Sequence, residues 1–208
     1  MAMLALVPTR AVAQPMADPG DASSASSLSQ TPPAPAPAYV PITGLERIHW
    51  TVDGTIAPGV LGFSVFIAAV QTGINTPEEW SRTARGFAKR YLEREADVAI
   101  SNAIEAGVGA LWREDPRYLP SHRHGVWPRV GYAMKTTFLA PRRDGRLAPA
   151  WGRYAGNVFN NIIENTYLPP SVTTRDATIV RSAGGLLTRM ISNLYFEFWP
   201  DVVRHFTK

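Results

Sequence analysis

From Gly54 to Pro77 the chain carries no charged residue. Ile56, Val60, Leu61, Phe63, Val65, Phe66, Ile67 and Val70 crowd the middle of this stretch. Such a segment has two homes, the core of a protein or the hydrocarbon of a bilayer. Its uncharged length reaches the roughly 20 residues that cross a membrane. Pro58, Gln71 and the glycines at 54, 59, 62 and 73 dilute it. The strongly apolar part is nearer about 15 residues, a length that favours a buried core helix. A core helix is therefore the expectation, with insertion into a membrane as the competing reading.

The partner for that helix is sought in Asp97 to Leu119, DVAISNAIEAGVGALWREDPRYL. Ala99, Ala103 and Gly107 recur every fourth residue and so share one helical face. A face nearly without side chains lets another backbone approach closely, and the Gly59–Gly73 segment offers an opposing surface. Glu105 is the one acid inside the run. In a packed helix it needs a cation, and none lies three or four residues away. A structural ion pair with an arginine from another element is favoured over a catalytic acid or base.

The rest of the chain reads as helices separated by proline and glycine. Thr43 followed by Glu46 is a capping box that starts a helix at Gly44, running to about Val52. Asn75-Thr76-Pro77-Glu78-Glu79 signals the start of a long helix to Trp112. Pro128 opens a helix to Leu139. Pro149 opens another, with Trp151, Tyr154, Ala155, Val158, Phe159, Ile162 and Ile163 inward. Thr174 caps a last long helix, which Pro200 kinks or restarts. No strand and no repeat is expected. The fold class is all-α, about six helices in a compact, small-residue-rich bundle over residues 41–208.

Residues 1–13 resemble the end of a signal peptide, with Ala11-Val12-Ala13 as a cleavage site. Residues 14–40 are rich in Pro, Ala and Ser and are expected to form a disordered tether. Export to the periplasm or envelope follows from that leader. Charged residues make up 18% of the chain, below the roughly 25% typical of soluble proteins. A net charge of +4 with scattered arginines does not make a nucleic-acid surface. The absence of cysteine excludes disulfides, thiolate metal sites and thiol catalysis. Five tryptophans, Trp80, Trp112, Trp127, Trp151 and Trp199, fall near expected helix ends, as at a membrane interface. The turn bearing Arg142, Arg143 and Arg146 suits anionic headgroups.

Chemistry-bearing patterns are sparse. His122 and His124 stand in a loop near Glu114 and Asp115, a loose pair and only a weak metal candidate. Glu105, Asp115 and His122 are weak catalytic candidates. No cofactor is expected, since nucleotide, zinc-protease, calcium-loop and nucleophile-elbow motifs are all missing. Asn102-Ala103-Ile104-Glu105-Ala106-Gly107, Leu111-Trp112, Glu114-Asp115-Pro116-Arg117-Tyr118 and Phe198-Trp199-Pro200-Asp201 together resemble an uncharacterised family of predicted exported bacterial proteins. The resemblance implies export and a helical unit, and transfers no catalytic residue.

The functional expectation is a non-enzymatic envelope protein, membrane-associated or partly inserted, with a structural or interaction role. Its partners would be membrane lipid or another envelope protein. The alternative is a soluble periplasmic enzyme or ligand-binding domain using the loop 113–125. Removal of residues up to Ala38 is expected to shift the unfolding free energy of the remainder by less than about 1 kcal/mol, measured by denaturant titration.

Overall fold

A computed structural model describes residues 39–121 and 123–207. The signal-peptide reading and nearly all of the tether lie outside the described residues, as does His122. Tyr39 and Val40, assigned to the tether, are tied to the folded body. The Tyr39 hydroxyl donates to Asp115 at 3.1 Å, and the Val40 carbonyl accepts from Arg117 at 3.0 Å.

The described residues are mostly helical, as the all-α class requires. The helices are α1 (Gly44–Ile56), α2 (Pro58–Ile74), α3 (Ala84–Leu111), α4 (Val126–Phe138), α5 (Trp151–Glu164) and α6 (Arg175–Phe206). The first two are halves of one 31-residue rod broken at Ala57. Thr43 and Glu46 make the capping box in both directions, at 3.2 and 2.7 Å. The helix expected from Pro77 begins only at Ala84. Glu78–Trp80 is a single 3₁₀ turn, and Ser81, at φ 51°, turns the chain before Thr83 caps α3.

Trp112, Arg113 and Glu114 close α3 without a glycine. Arg113 takes the left-handed conformation, its N–H donating to the Ala110 carbonyl at 3.2 Å. The Glu114 N–H reaches Gly109 at 2.8 Å, completing the paired end bonds of a Schellman motif. A short hairpin, unexpected from the sequence, links α4 to α5. Strands β1 (Leu139–Pro141) and β2 (Leu147–Pro149) pair antiparallel around Asp144-Gly145, with Gly145 at φ 75°. The Asp-Gly step was the missed hairpin signal.

Helix α3 is the axis of the fold. The α1–α2 rod packs along it on one side and α5 on another, while α6 covers α5 and α4. The α3–α5 seam is the tightest. A Cβ added to Gly152 would lie 2.7 Å from the Glu105 carbonyl and 2.9 Å from Gly109 Cα. One added to Gly156 would lie 2.8 Å from the Ser101 carbonyl. Gly152-x-x-x-Gly156 therefore meets Ser101, Glu105 and Gly109, backbone against backbone. The expected groove of Ala99, Ala103 and Gly107 is not this seam. It lies two residues away, about 200° round the helix. Ala103 and Gly107 are exposed, and a Cβ on Gly107 meets nothing within 4 Å.

Burial is inverted relative to the expected bundle. Among the described residues, and apart from Pro77, Pro116 and Pro141, the buried apolar residues are all alanines: Ala68, Ala106, Ala133, Ala140 and Ala150. The largest fully buried side chains are polar, led by Arg90, Glu197, Asn160 and Asn193. On α5, Trp151, Val158, Phe159, Ile162 and Ile163 point outward, contrary to expectation, and Arg153, Asn160, Asn161 and Glu164 point in. The α2 segment is not a core helix within this chain. Of the most apolar window of the α1–α2 rod, 11% is buried, and only Ser64 and Ala68 of α2 are covered. The looseness of the apolar residues, not the helical class, is where the compact-bundle expectation fails.

Gly152→Leu or Gly156→Leu is expected to overpack the seam and cost on the order of 1–3 kcal/mol or more. Gly107→Leu should stay within about 0.5 kcal/mol. Thermal unfolding of the three purified variants in one buffer or detergent checks this order.

Candidate functional site: a polar interior groove

Two sets of charged groups surround α3, one at its end and one along its flank. The first is the turn Arg113–Tyr118. Glu114, buried, accepts from the N–H groups of Trp151 and Gly152 at 3.1 and 2.8 Å, so its carboxylate caps the N-terminus of α5. A carboxylate there satisfies two orphan donors and opposes the helix dipole favourably. Asp115, also buried, turns the other way. It accepts from the Arg117 side chain at 2.8 and 3.0 Å and from the Arg117 N–H at 3.0 Å. Burial, followed by the Asp115 charge, pushes the Tyr39 hydroxyl up to about 12, so it remains a donor. Arg47 on α1 reaches across to the Glu114 carbonyl at 2.5 Å. The Asp115 N–H pairs with the Pro141 carbonyl at 2.8 Å. One turn thus joins the chain entry, α1, α3, the hairpin and α5.

That arrangement decides the standing of the loop 113–125. Glu114 and Asp115 are fully engaged and diverge, so they form no convergent pair. His124 is exposed. Among the described residues no group of three or more His, Asp or Glu side chains is placed to hold a metal ion. Of the headgroup candidates, Arg143 and Arg146 are exposed at the hairpin tip, and Arg142 is half-buried beside Glu114.

The second set lines a cavity of about 420 Å³ between α2, α3, α5 and α6. Glu105 lies in its wall. Its Oε1 accepts from Arg153 Nε of α5 at 3.1 Å and from Arg189 Nη2 of α6 at 3.2 Å. The partners that the sequence could not supply locally thus come from two other helices. Arg153 Nη1 donates to the Thr136 and Thr137 carbonyls at 2.6 and 2.9 Å, binding the end of α4 into the same network. Farther along α3 the groove holds Glu93, Arg94 and Asp97, which face Glu164 and Arg181. Asn160 bridges Asp97 and Glu164 at 2.5 and 3.0 Å, and Arg181 pairs with Glu164 at 3.3 Å. Arg94 Nε, Arg189 Nε and Gln71 Oε1, all on the groove, are buried without a partner.

The wall from α2 is different. Val60, Phe63 and Ile67 present apolar surface opposite the charges. These residues stand three and four apart and so share one face. The groove therefore has one ionic wall and one apolar wall. Sequence reasoning had Glu105 but none of its partners. Arg153, Arg189, Asp97, Glu164 and Arg181 were missed because no local rule joins charges that lie on separate helices. The signal available was their spacing: Arg153, Asn157, Asn160, Asn161 and Glu164 form one polar stripe on α5.

Comparison with protein-family models, with curated proteins and with solved structures finds no match for this chain.

Glu114→Ala removes the α5 cap and leaves two buried N–H groups unpaired, which is expected to cost about 2 kcal/mol. Glu114→Gln, which retains acceptor capacity, should lose less. Paired thermal melts of the two variants test the assignment.

Proposed function

We propose that the protein is a non-enzymatic helical membrane protein of the cell envelope, with its outer faces in lipid and a polar groove inside. The observation that carries this reading is the distribution of exposed charge. Along α2, along α3 from Leu92 to Trp112, along α5 and along α6 from Ala177 to Trp199, no charged residue is exposed. The α6 stretch alone is about 35 Å long and the α3 stretch about 30 Å, matching the hydrocarbon thickness of about 30 Å. Most of the charges these helices do carry are paired, as intramembrane charges are: Arg94 with Asp97, Arg153 and Arg189 with Glu105, Arg181 with Glu164, and Glu197 with Arg129.

Exposed charge gathers at the two ends instead. Glu78, Glu79, Arg82, Arg85 and Lys89 precede or begin α3, and Arg175 and Asp176 begin α6. These two sets are neighbours, since Ser171 donates to Glu79 at 2.8 Å. At the other end lie Arg113, Arg123, Arg143 and Arg146. Trp112, Trp127 and Trp151 stand exposed at this end, where amphipathic rings favour the headgroup layer. Asp53 on α1 and Lys135 on α4 are exposed and confine the apolar belt to the other four helices. A soluble enzyme built on residues 113–125 has no comparable support, because Glu114 is spent on backbone N–H groups and Asp115 on Arg117 and Tyr39.

The cysteine-free sequence allows a direct test. Single cysteines placed at Phe66, Phe159 and Phe196 are labelled with an environment-sensitive fluorophore and reconstituted into vesicles containing brominated lipid. Strong quenching is expected at these positions and little at Arg85 or Arg146. Equal quenching at belt and end positions would sink the reading. Release of the protein from cell membranes by carbonate would do the same.

A further inference from the structure

We infer that the groove takes an anionic amphiphile, a carboxylate or phosphate monoester on one apolar chain, with its head against Arg189 and Arg153. At this point of the groove two guanidinium groups share a single carboxylate, and both bonds fall on one oxygen of Glu105. The local sum is one uncompensated positive charge in an interior site. Arg153 is 7% exposed, and Arg189 is held between Glu105 and the Pro116 carbonyl, which accepts from it at 2.7 Å. Arg189 Nε is buried without any partner. Arg189, with 24% of its side chain exposed, is thus a surplus cation with an unpaired N–H, which favours an anion.

The remaining walls define what the anion is attached to. Val60, Phe63 and Ile67 of α2 and Leu186 of α6 face the groove across from the charges. An apolar chain fits there, and water does not satisfy that surface. The cavity of about 420 Å³ falls within the range of small-molecule sites. Orientation follows from the acids. At the far end Glu93, Asp97 and Glu164 outnumber Arg94 and Arg181, both already paired with acids, so the head settles by Arg189 with Ser101 and Ser192 as hydroxyl neighbours. Helices α2 and α6 form opposite rims without extended contact. Entry from the lipid between them rests on the membrane reading proposed above, whereas the head–arginine contact does not.

The test is saturation binding of radiolabelled dodecanoate to the purified full chain in a non-ionic detergent, with dodecanol, dodecyl phosphate and acetate as competitors. Dodecanoate and dodecyl phosphate are expected to compete with one another, whichever is the natural head. Dodecanol should bind about tenfold more weakly or worse, and acetate should fail for want of a chain. Arg189→Gln should weaken dodecanoate about tenfold and leave dodecanol unchanged. Glu105→Gln should tighten dodecanoate, because it raises the local positive charge. A purely structural triad predicts no such opposite signs. Where Glu105→Gln does not fold, Arg189→Lys serves instead, with affinity restored part of the way from Arg189→Gln. Equal binding of dodecanol and dodecanoate, or indifference of dodecanoate to Arg189→Gln, overturns the inference. Should the chain prove not to reside in membranes, the titration runs in detergent-free buffer and the same charge dependence decides it.

Discussion

Everything inside this molecule depends on how close α5 comes to α3. Gly152 and Gly156 bring the two backbones to a separation that any side chain would widen. That approach puts Arg153 beside Glu105, one residue on from the first contact, and puts Asn160 beside Asp97, one turn after the second. Widening the seam would stretch both sets of bonds at once. The energetic consequence is asymmetric. A buried ion pair kept intact contributes little against an apolar alternative, but a broken one leaves an uncompensated charge and costs several kcal/mol. Seam and ion pairs therefore succeed or fail together, and the glycines give α3 and α5 a single register.

Under the membrane reading proposed above, the same logic accounts for the apolar residues that face outward. In water, the outward face of α5 with Val158, Phe159, Ile162 and Ile163 would be a large unpaid exposure. In lipid there is no hydrophobic gain from bringing such residues together, and helices associate through small-residue contacts and polar bonds instead. This chain has both devices, and among its described residues no leucine or isoleucine is buried. Prolines apart, the buried apolar residues described are alanines, which is what a helix interface needs when close approach matters more than filled volume.

Helix existence was largely legible in the sequence, and helix facing was not. Capping residues act locally, so Thr43 with Glu46 and Thr174 marked true starts. The start set at Pro77 failed because Ser81 adopts a left-handed turn that no nearby residue announces. Facing depends on the surrounding solvent, which a hydrophobic period does not name. Ile162 and Ile163 have the same spacing whether they seek a core or a bilayer. The Ala99–Ala103–Gly107 stripe misled for a related reason. Small residues occur on more than one face of α3, and only the matching glycine pair on α5 shows which face is the seam. Glu105 was legible as an acid in need of a cation, yet its cations lie 48 and 84 residues on, beyond any local rule.

The excess of arginine over lysine, uninformative in the sequence, becomes intelligible through the carbonyls that the arginines reach. Arg90, fully buried, has no acid within reach. It donates to the Thr76, Pro77 and Ser81 carbonyls, each at 2.8 Å, and so closes the irregular link between α2 and α3. Arg47 does the same for the Ala106 and Glu114 carbonyls, Arg153 for those of Thr136 and Thr137, and Arg129 for that of Glu197. The carbonyls of Thr76, Pro77, Ser81, Glu114, Thr136 and Thr137 lie at a helix end or in a turn, where the backbone cannot satisfy itself, whereas those of Ala106 and Glu197 lie within α3 and α6. Where water is scarce such groups cost several kcal/mol if left alone. A planar guanidinium carries up to five donors in a fixed fork and can bridge several carbonyls, whereas an ammonium is a more strongly hydrated point charge. Interior arginine is thus the means by which this fold carries non-helical turns and broken helices into a poorly hydrated interior, and the same choice leaves Arg189 with a donor to spare.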